Sequence, residues 1–142
     1  QTFIPPKGRC EVKNNGKITI IDDTYNANLE STIASIDYLK AFSGNGKRIF
    51  IFGDMLELGD SSITQHKAVG DKCNDSEINA VLTVGPETIA TEGALRVEFH
   101  RHYKNKVDLL KTLKEIVKDG DKVLVKGSRG MRMETIIEEM LI

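Results

Sequence analysis

The sequence predicts an α/β fold: a twisted, mainly parallel sheet with helices on both faces and an antiparallel strand at its amino end. Short apolar runs of strand length alternate with longer segments in which apolar residues recur every three or four positions. Most of these runs are almost continuously apolar, as in strands buried on both faces of a parallel sheet. Parallel strands need crossover connections, and the intervening periodic segments would supply them as helices.

The first predicted element is a hairpin. Residues 11–13 and 17–21 are short alternating runs on either side of Asn14-Asn15-Gly16. Asn and Gly tolerate the positive φ angles of a tight turn between antiparallel strands. The second strand of this hairpin would end at the adjacent carboxylates Asp22 and Asp23.

The remaining elements alternate between helix and strand. The next is a helix capped by Asn28 and ended by residues 43–46, and four further strands are predicted at residues 48–52, 80–84, 97–99 and 122–126. A capping box of Ser62 and Gln65 would open the second helix, and a short one would span Thr88 to Ala94. Apolar spacing marks the helices through Leu29, Ile33, Ile36, Leu39 and Phe42; Ile63, Val69 and Cys73; Val107, Leu110, Leu113, Ile116 and Val117; and Met133, Ile136, Ile137, Met140 and Leu141.

Composition excludes several classes of protein. The 142 residues carry 20 basic and 21 acidic side chains without a block of like charge, so a broad nucleic-acid surface is not expected. No apolar run approaches the roughly 18 residues of a membrane span, and residues 1–6 do not resemble a signal peptide. Cys10 and Cys73 have no partner at metal-ligand spacing. We expect a single cytoplasmic domain, residues 1–142, with neither disulfide nor metal site.

Three polar loops follow predicted strands, at residues 22–28, 53–59 and 126–129. Carboxyl ends of parallel strands meet at one edge of a sheet, so we expect these loops to converge in one cleft. In the first loop, the carboxylates and the amides of Asn26 and Asn28 suit a ribose or a metal neighbourhood. The same pattern also fits a simple helix cap in a solvated loop.

The other two loops also allow two interpretations each. Lys126 and Arg129, beside glycines at a helix start, suit a phosphate or carboxylate, but they also fit a glycine-rich turn with surface cations. In the middle loop, Asp54 and Glu57 suit a substrate amine. The apolar residues there predict packing against a neighbouring domain or lid; they are Met55, Leu56 and Leu58.

The histidines and the remaining glycines give weaker signals. His66 lies in mid-helix and is predicted to be a satisfied, partly buried histidine. His100 and His102 share one side of an extended segment but lack a third ligand, which disfavours a metal site. Gly44-Asn45-Gly46-Lys47-Arg48 precedes a strand and lacks the hydroxyl of a P-loop, so a triphosphate cradle is not predicted.

Taken together, these segments resemble the C-terminal domain of the Mur ligases, over nearly the whole chain. One departure is Leu29, which stands where the family usually has a proline that fixes φ at the first helical position. The segments that carry the resemblance are Pro6-Lys7-Gly8-Arg9, residues 21–28, residues 53–59, His66 with Val69-Gly70, and residues 123–131 with Met133-Glu134.

The resemblance implies a Rossmann-like domain of an ATP-dependent peptide ligase. Within the family, the resemblance points to the ligase that adds D-Ala-D-Ala to UDP-N-acetylmuramoyl-tripeptide in peptidoglycan precursor synthesis. It further implies that the UDP-sugar domain and the central ATPase domain, which holds magnesium, are absent from this chain. The implied partners are these two substrates and the enzyme's own other domains, and the chain alone would be inactive.

The resemblance also assigns residues. It implies that Asp23 contacts the ATP ribose, with Tyr25 beside the nucleotide, and that Asn26 and Asn28 face the nucleotide and the incoming substrate. The residues that would approach the dipeptide or line its cleft are Lys126, Ser128, Arg129, Asp54, Met55 and Leu56. No catalytic nucleophile and no metal ligand are implied, because the amine of the substrate performs the attack.

Two alternatives belong to other classes of protein. Asp22, Asp23, Asp54 and Lys126 imitate the acidic pocket of a receiver-like, magnesium-dependent phosphoacceptor domain. That pocket requires a proline turn after its lysine, whereas this chain has Gly127-Ser128, and it leaves residues 25–28 without a role. The third hypothesis is a non-catalytic binding module, which ligand titration would separate from the others.

Overall fold

A computed structural model describes residues 9–141, which form one six-stranded sheet with helices on both faces. The predicted absence of a signal peptide, and all of the Pro6–Arg9 segment except Arg9, lie outside these residues. The strand order is β1-β2-β6-β3-β4-β5; β1 is antiparallel to β2, and all other pairs are parallel. The elements are β1 Glu11–Asn14, β2 Thr19–Asp23, α1 Leu29–Lys40, β3 Arg48–Gly53, α2 Ser62–Asn74, β4 Ala80–Val84, α3 Ile89–Ala94, β5 Phe99–Tyr103, α4 Lys106–Ile116, β6 Lys122–Lys126 and α5 Glu134–Met140.

The sheet is covered on both faces, as predicted. Because side chains alternate along a strand, neighbouring residues of β2 enter opposite cores: Ile21 packs with α1 and α2, and Ile20 with α4 and α5. Both cores contain fully buried residues from β3 and β6 as well. No helix within residues 9–141 has the length and apolar character that a bilayer crossing requires.

The two local signals at the amino end are confirmed. The Asn-Gly turn joins β1 to β2 with Gly16 at φ +91°, which is accessible to glycine. Asn28 caps α1: its side-chain oxygen accepts from the Ser31 N–H at 2.8 Å, and the Ser31 hydroxyl oxygen accepts from the Asn28 N–H at 3.1 Å.

The predicted capping box of α2 is wrong. The chain enters this helix through a 3₁₀ turn, Gly59–Ser61, and Ser61 precedes it without a side-chain cap. The Ser62 hydroxyl lies inside the protein, where it donates to Glu87 and contacts His66. Ile63 was predicted to mark the apolar face of α2 but is 72% exposed. Tertiary contacts of the hydroxyl therefore determine how α2 begins.

The predicted strand at residues 97–99 is displaced: β5 spans Phe99–Tyr103. This strand lies at one edge of the sheet and contains polar residues, so a search for apolar runs finds only its beginning. Val107 and Leu141 also differ from the prediction, because both are exposed. Val107 stands two residues before the buried Leu109, and Leu141 follows the end of α5.

The amino ends of the strands are closed by a tight backbone contact. A Cβ on Gly46 would overlap the backbone carbonyl of Gly120. The buried Asp121 carboxylate holds the two backbone segments beside it, because it accepts the Lys47 N–H at 2.8 Å and the Lys118 N–H at 2.9 Å. This edge leaves no space for a side chain at Gly46.

Replacing Gly46 by alanine should therefore lower the free energy of unfolding by about 1–3 kcal/mol, because backbone must move to admit the methyl group. Gly93→Ala is the matched control: Gly93 lies in α3, and a Cβ there meets nothing within 4 Å. This control should raise stability by about 0.5–1 kcal/mol, since alanine costs less chain entropy in a helix. Urea unfolding measures both, and equal effects would contradict the packing argument.

Candidate functional site

The topology creates a crevice at the carboxyl end of β6. This strand lies between β2 and β3, whose following helices α1 and α2 pack on one face of the sheet. The helix that follows β6, α5, packs on the opposite face. Connections that leave neighbouring strands toward opposite faces of the sheet create a crevice at the strand ends, where open α/β sheets bind ligands. The register places Lys126 beside both Asp23 and Phe52, so the three polar loops start at one edge, as predicted.

A buried ion pair lies at the centre of this edge. The Lys126 Nζ is 2.8 Å from the Asp23 Oδ2, and the two side chains are only 2% and 8% exposed. Lys126 also donates to the Asn26 carbonyl at 2.9 Å. Asp23 receives two more hydrogen bonds, from the Ser35 hydroxyl to Oδ2 and from the Cys10 N–H to Oδ1 at 3.2 Å.

These contacts restrict what Asp23 can do for a ligand. A carboxylate has about four lone-pair positions, and the three hydrogen bonds from residues 9–141 leave one of them, on Oδ1. The geometry therefore allows one donor, such as a hydroxyl. Lys126 is neutralised by the pair and is almost completely enclosed, so its charge is not presented to the crevice.

Asp22 is also satisfied from within the protein. Its carboxylate accepts from Lys13 Nζ at 2.9 Å and from the Thr24 hydroxyl at 2.6 Å. Burial lowers the pKa of Lys13, but the hydrogen bond and charge of Asp22 outweigh this effect and raise it overall. Within residues 9–141, no group of three or more His, Cys, Asp and Glu side chains could hold a metal ion.

The rest of the first loop contains one exposed ring and two amides. Tyr25 is 39% exposed, and the Arg9 guanidinium carbon lies 4.2 Å from its ring centre, in cation–π contact. Asn26 is exposed, and its side-chain oxygen accepts the Ala27 N–H at 2.9 Å. The Asn28 oxygen is used as the cap of α1. As far as the described residues show, Tyr25 and the amide donors of Asn26 therefore remain open to a ligand.

Asp54 faces the loop after β4, not the Asp23 side of the crevice. Its Oδ1 accepts the Thr88 N–H at 3.0 Å, and its carboxylate fills the space that a Cβ on Gly85 would need. Gly85 has φ +106°, which favours glycine for a second reason. Burial raises the pKa of Asp54, and the hydrogen bond from Thr88 opposes this only in part. The expectation that Asp54 opens into the same mouth as Asp23 is corrected.

The apolar residues of the middle loop take different places. Met55 is fully buried, and its sulfur accepts from the Thr32 hydroxyl at 3.8 Å. Leu58 packs partly buried against the same core. Their expected packing against another domain is therefore corrected, because both pack within this one. Leu56 is exposed and is the residue of this group that a ligand can reach.

The loop after β6 is tied to the middle loop. The Ser128 Oγ accepts the Leu56 N–H at 2.7 Å, and the Ser128 N–H donates to the Asp54 carbonyl at 3.0 Å. Gly127 is needed for close packing, since a Cβ there would lie 2.7 Å from the Met133 side chain. Ser128 therefore joins two strand ends and is itself nearly buried.

Arg129 is the exposed cation of this loop. Its guanidinium pairs with Glu134, at the start of α5. Together with Thr24, Tyr25 and Ile137, this pair borders an open cleft of about 410 Å³. The cleft brings Tyr25 of the first loop and Arg129 of the third loop together.

Several site residues escaped the sequence analysis. Cys10 and Ser35 hold Asp23, Thr24 holds Asp22, and Glu134 holds Arg129. A signal existed for Ser35, because it stands next to Ile36 on the buried side of α1. A hydroxyl on an otherwise apolar helix face indicates a buried acceptor nearby. Thr24 offered a local signal too, because a hydroxyl two residues after an aspartate can bond to its carboxylate, whereas the contacts of Cys10 and Glu134 span 13 and 5 positions.

The remaining histidines and cysteines are structural. His100 lies 2.7 Å from Glu92 and His102 lies 2.9 Å from the Thr83 hydroxyl, so their side chains have separate partners. Burial raises the pKa of the Cys73 thiol to about 12, which keeps it protonated and unreactive. Burial and the charge of Asp23 also raise the pKa of Cys10.

Comparison with known proteins gives a consistent family. The family described as "Mur ligase, glutamate ligase domain" matches residues 8–129. The UDP-N-acetylmuramoyl-tripeptide–D-alanyl-D-alanine ligase of Bacillus subtilis is 38% identical over 135 residues, which cover 92% of this chain and 29% of that enzyme. The chain therefore spans about three-tenths of the length of this relative.

Solved structures agree. The MurF ligase of Thermotoga maritima, in complex with ADP, superposes with a TM-score of 0.82 at 31% identity, over 99% of this chain and 31% of the other. A MurF structure from Acinetobacter baumannii gives a TM-score of 0.85 at 27% identity, over 97% and 30% of the two chains. By family match, sequence identity and fold, this chain belongs to the Mur ligases, where it corresponds to the domain described as the glutamate ligase domain.

Proposed function

We propose that this chain is the C-terminal domain of an ATP-dependent ligase that adds D-Ala-D-Ala to UDP-N-acetylmuramoyl-tripeptide. The observation that carries the proposal is the 38% identity, over 92% of the chain, to a ligase of that name. The T. maritima relative binds ADP, which supports ATP as the cosubstrate. Such a ligase would work in the cytoplasm, in peptidoglycan precursor synthesis.

The first loop would contact the nucleotide. Among the described residues, three donors reach the Asp23 carboxylate, so one acceptor position remains for a single ribose hydroxyl. The exposed ring of Tyr25 suits contact with the base. Asn26 and Asn28 lie in the same loop, and the side-chain amide of Asn26 would donate to the ligand. Lys126 would contribute without contacting the nucleotide, because its hydrogen bonds hold both Asp23 and the Asn26 backbone in place.

The other two loops would face the dipeptide and the reacting carboxylate. Arg129 is exposed at the cleft, so its guanidinium suits a carboxylate or an acyl phosphate. Leu56 offers apolar surface for a methyl group. Ser128 and Asp54 would act through the backbone of the loops they hold, and Met55 through the core beneath them. The domain thus supplies positioning and electrostatic stabilisation.

The phosphate chemistry would belong to the rest of the enzyme. The sequence has no P-loop, so the ATP phosphates and magnesium would be held by a central domain and the UDP-sugar by another. In the proposed reaction, the γ-phosphate moves to the carboxylate of the tripeptide. The amine of D-Ala-D-Ala then attacks the acyl phosphate, forming the peptide bond and releasing phosphate.

The geometry does not favour the receiver-like alternative. A phosphoacceptor carboxylate must be reachable, whereas Asp54 is 2% exposed and its Oδ1 accepts the Thr88 N–H. Lys126 is occupied by Asp23, on the other side of β6 from β3. The binding-module alternative remains as an outcome of the assay that follows.

The isolated 142-residue chain should neither hydrolyse ATP nor form the peptide bond, whereas the full-length ligase containing it should do both when given all three substrates. The physical reason is that the groups needed for phosphate transfer are not in this chain. Phosphate release and product formation are measured by coupled assay and mass spectrometry. ATP turnover by the isolated chain would refute the proposal, and a full-length protein that binds but never ligates would favour a binding module.

Replacing Tyr25 by alanine in the full-length ligase should raise the KM for ATP about 3- to 10-fold, because an exposed aromatic contact worth about 0.5–1.5 kcal/mol is lost. Tyr38→Ala is the matched control, since Tyr38 is 41% exposed but lies on α1, with its ring against Phe42. Steady-state kinetics with varied ATP measure both variants. If Tyr38→Ala changes the KM as much as Tyr25→Ala, the nucleotide assignment of Tyr25 is lost.

The stability of the domain should carry a pH signature from Asp54. Its pKa is raised in the folded protein above the ordinary 3.8, so its contribution is fully present below that value and is lost as pH rises through the folded-state pKa. Lowering the pH from 7 to 4 should therefore shift the difference in unfolding free energy between wild type and Asp54→Asn in favour of the wild type. Urea unfolding at both values measures this shift, and a difference that is constant or moves the other way would contradict it.

A further inference from the structure

A buried imidazole lies directly beneath the loop after β3. His66 of α2 is completely enclosed, and its Nε2 accepts the backbone N–H of Met55 at 3.0 Å. Its Nδ1 lies 2.8 Å from the carbonyl oxygen of Ser62, one helical turn earlier, and 3.1 Å from the Ser62 hydroxyl. Both ring nitrogens therefore have partners of defined chemistry.

These partners determine where the ring proton sits. The Met55 N–H can only donate, so Nε2 must offer its lone pair; the Ser62 carbonyl can only accept, so Nδ1 must carry the hydrogen. His66 is therefore a neutral imidazole in the Nδ1–H form. In that form the ring links the first turn of α2 to residues 53–59, the loop after β3 at the rim of the crevice, and both ring nitrogens are hydrogen-bonded.

The loop that His66 holds has an uncommon conformation. Leu56, next to Met55, donates its N–H to Ser128 Oγ at 2.7 Å, and Glu57 has φ +65°, in the left-handed region. A non-glycine residue in that region persists where surrounding contacts fix it. His66 fixes the loop from below, and Ser128 fixes it from the neighbouring strand end.

The same imidazole stands within a wider polar network inside the core. The Ser62 hydroxyl donates to Glu87, and the Thr91 hydroxyl donates to the His66 carbonyl at 2.8 Å. Asp54 accepts the Thr88 N–H on the other side of the loop. The bonds from Ser62 and Thr91 join α2 to the segment after β4, so the part of α2 that carries the imidazole is held in place.

We propose that His66 is a positioning residue for the incoming amino substrate: its hydrogen bond to Met55 sets the place of Leu56 and Ser128 at the rim. The inference rests on the proposed function, since these rim residues belong to the loops proposed to face the dipeptide. His66 touches no reacting atom and acts only through the loop. A displacement of that loop would weaken dipeptide use and leave the nucleotide loop, on β2, where it is.

Two substitutions separate the hydrogen bonds from simple packing. In His66→Gln, the side-chain oxygen can accept from Met55 and the amide can donate to Ser62, whereas His66→Leu fills similar space without either bond. In the full-length ligase, His66→Leu should raise the KM for D-Ala-D-Ala about tenfold or more, and His66→Gln should stay within about threefold of wild type. The KM for ATP should be unchanged in both variants.

Val69→Ala is the matched control for lost stability, since Val69 is fully buried on the same helix and belongs to the apolar core. It should lower the melting temperature without changing the KM for the dipeptide. Equal KM values for His66→Leu and wild type, or equal losses in His66→Leu and His66→Gln, would overturn the inference. An inactive wild-type ligase would instead refute the proposed function itself, so the two failures are distinguishable.

A spectroscopic measurement on the 142-residue chain tests the same inference where His66→Leu fails to fold. Long-range ¹H–¹⁵N correlation spectra at neutral pH should show His66 Nε2 as the unprotonated, pyridine-like nitrogen and Nδ1 as the protonated one. The Met55 amide should be strongly protected from hydrogen exchange. A protonated Nε2, or a rapidly exchanging Met55 amide, would contradict the proposed hydrogen bond.

Discussion

The ion pair between Lys126 and Asp23 is the constraint on which the carboxyl edge of this domain depends. Both charges lie at the ends of neighbouring central strands and are almost completely removed from water. Removing one partner of such a pair leaves an uncompensated buried charge, which costs about 3–5 kcal/mol. Lys126 thus fixes the first loop by donating to the Asn26 carbonyl. Asp23 fixes the residue before β1 by accepting the Cys10 N–H.

From this pair, hydrogen bonds continue across the sheet edge from one strand end to the next. Ser128 joins the loop after β6 to the loop after β3, and Asp54 joins the latter to the segment after β4. At this edge, the side chains of Asp23, Lys126 and Ser128 are turned inward, where water cannot compete for their hydrogen bonds. The groups left outside are those suited to contact a ligand, chiefly Tyr25, Arg129 and Leu56. Buried polar residues hold the rim in place, and exposed ones are available for binding.

The sequence predicted what depends on neighbouring residues and missed what depends on distant ones. Apolar runs located the central strands, the Asn-Gly turn located the hairpin, and the cap at Asn28 located α1. The burial of Asp23 was not predictable, because its lysine partner lies 103 positions away. Asp54 failed for a similar reason: its acceptor role toward Thr88 spans 34 positions. Both carboxylates hold the backbone or side chains around them, and this supporting role depends on residues that are distant in the sequence.

The departure at Leu29 shows how local chemistry can replace a missing constraint. A proline at the first helical position fixes φ in advance and loses nothing, because that N–H has no intrahelical partner. Here the reciprocal hydrogen bonds of Asn28 and Ser31 hold the helix start and satisfy the backbone N–H groups of both residues. Since Ser35, one turn further along α1, donates to Asp23, a fixed helix start also fixes the partner of the central ion pair. The start of α1 is therefore capped with leucine at the first helical position.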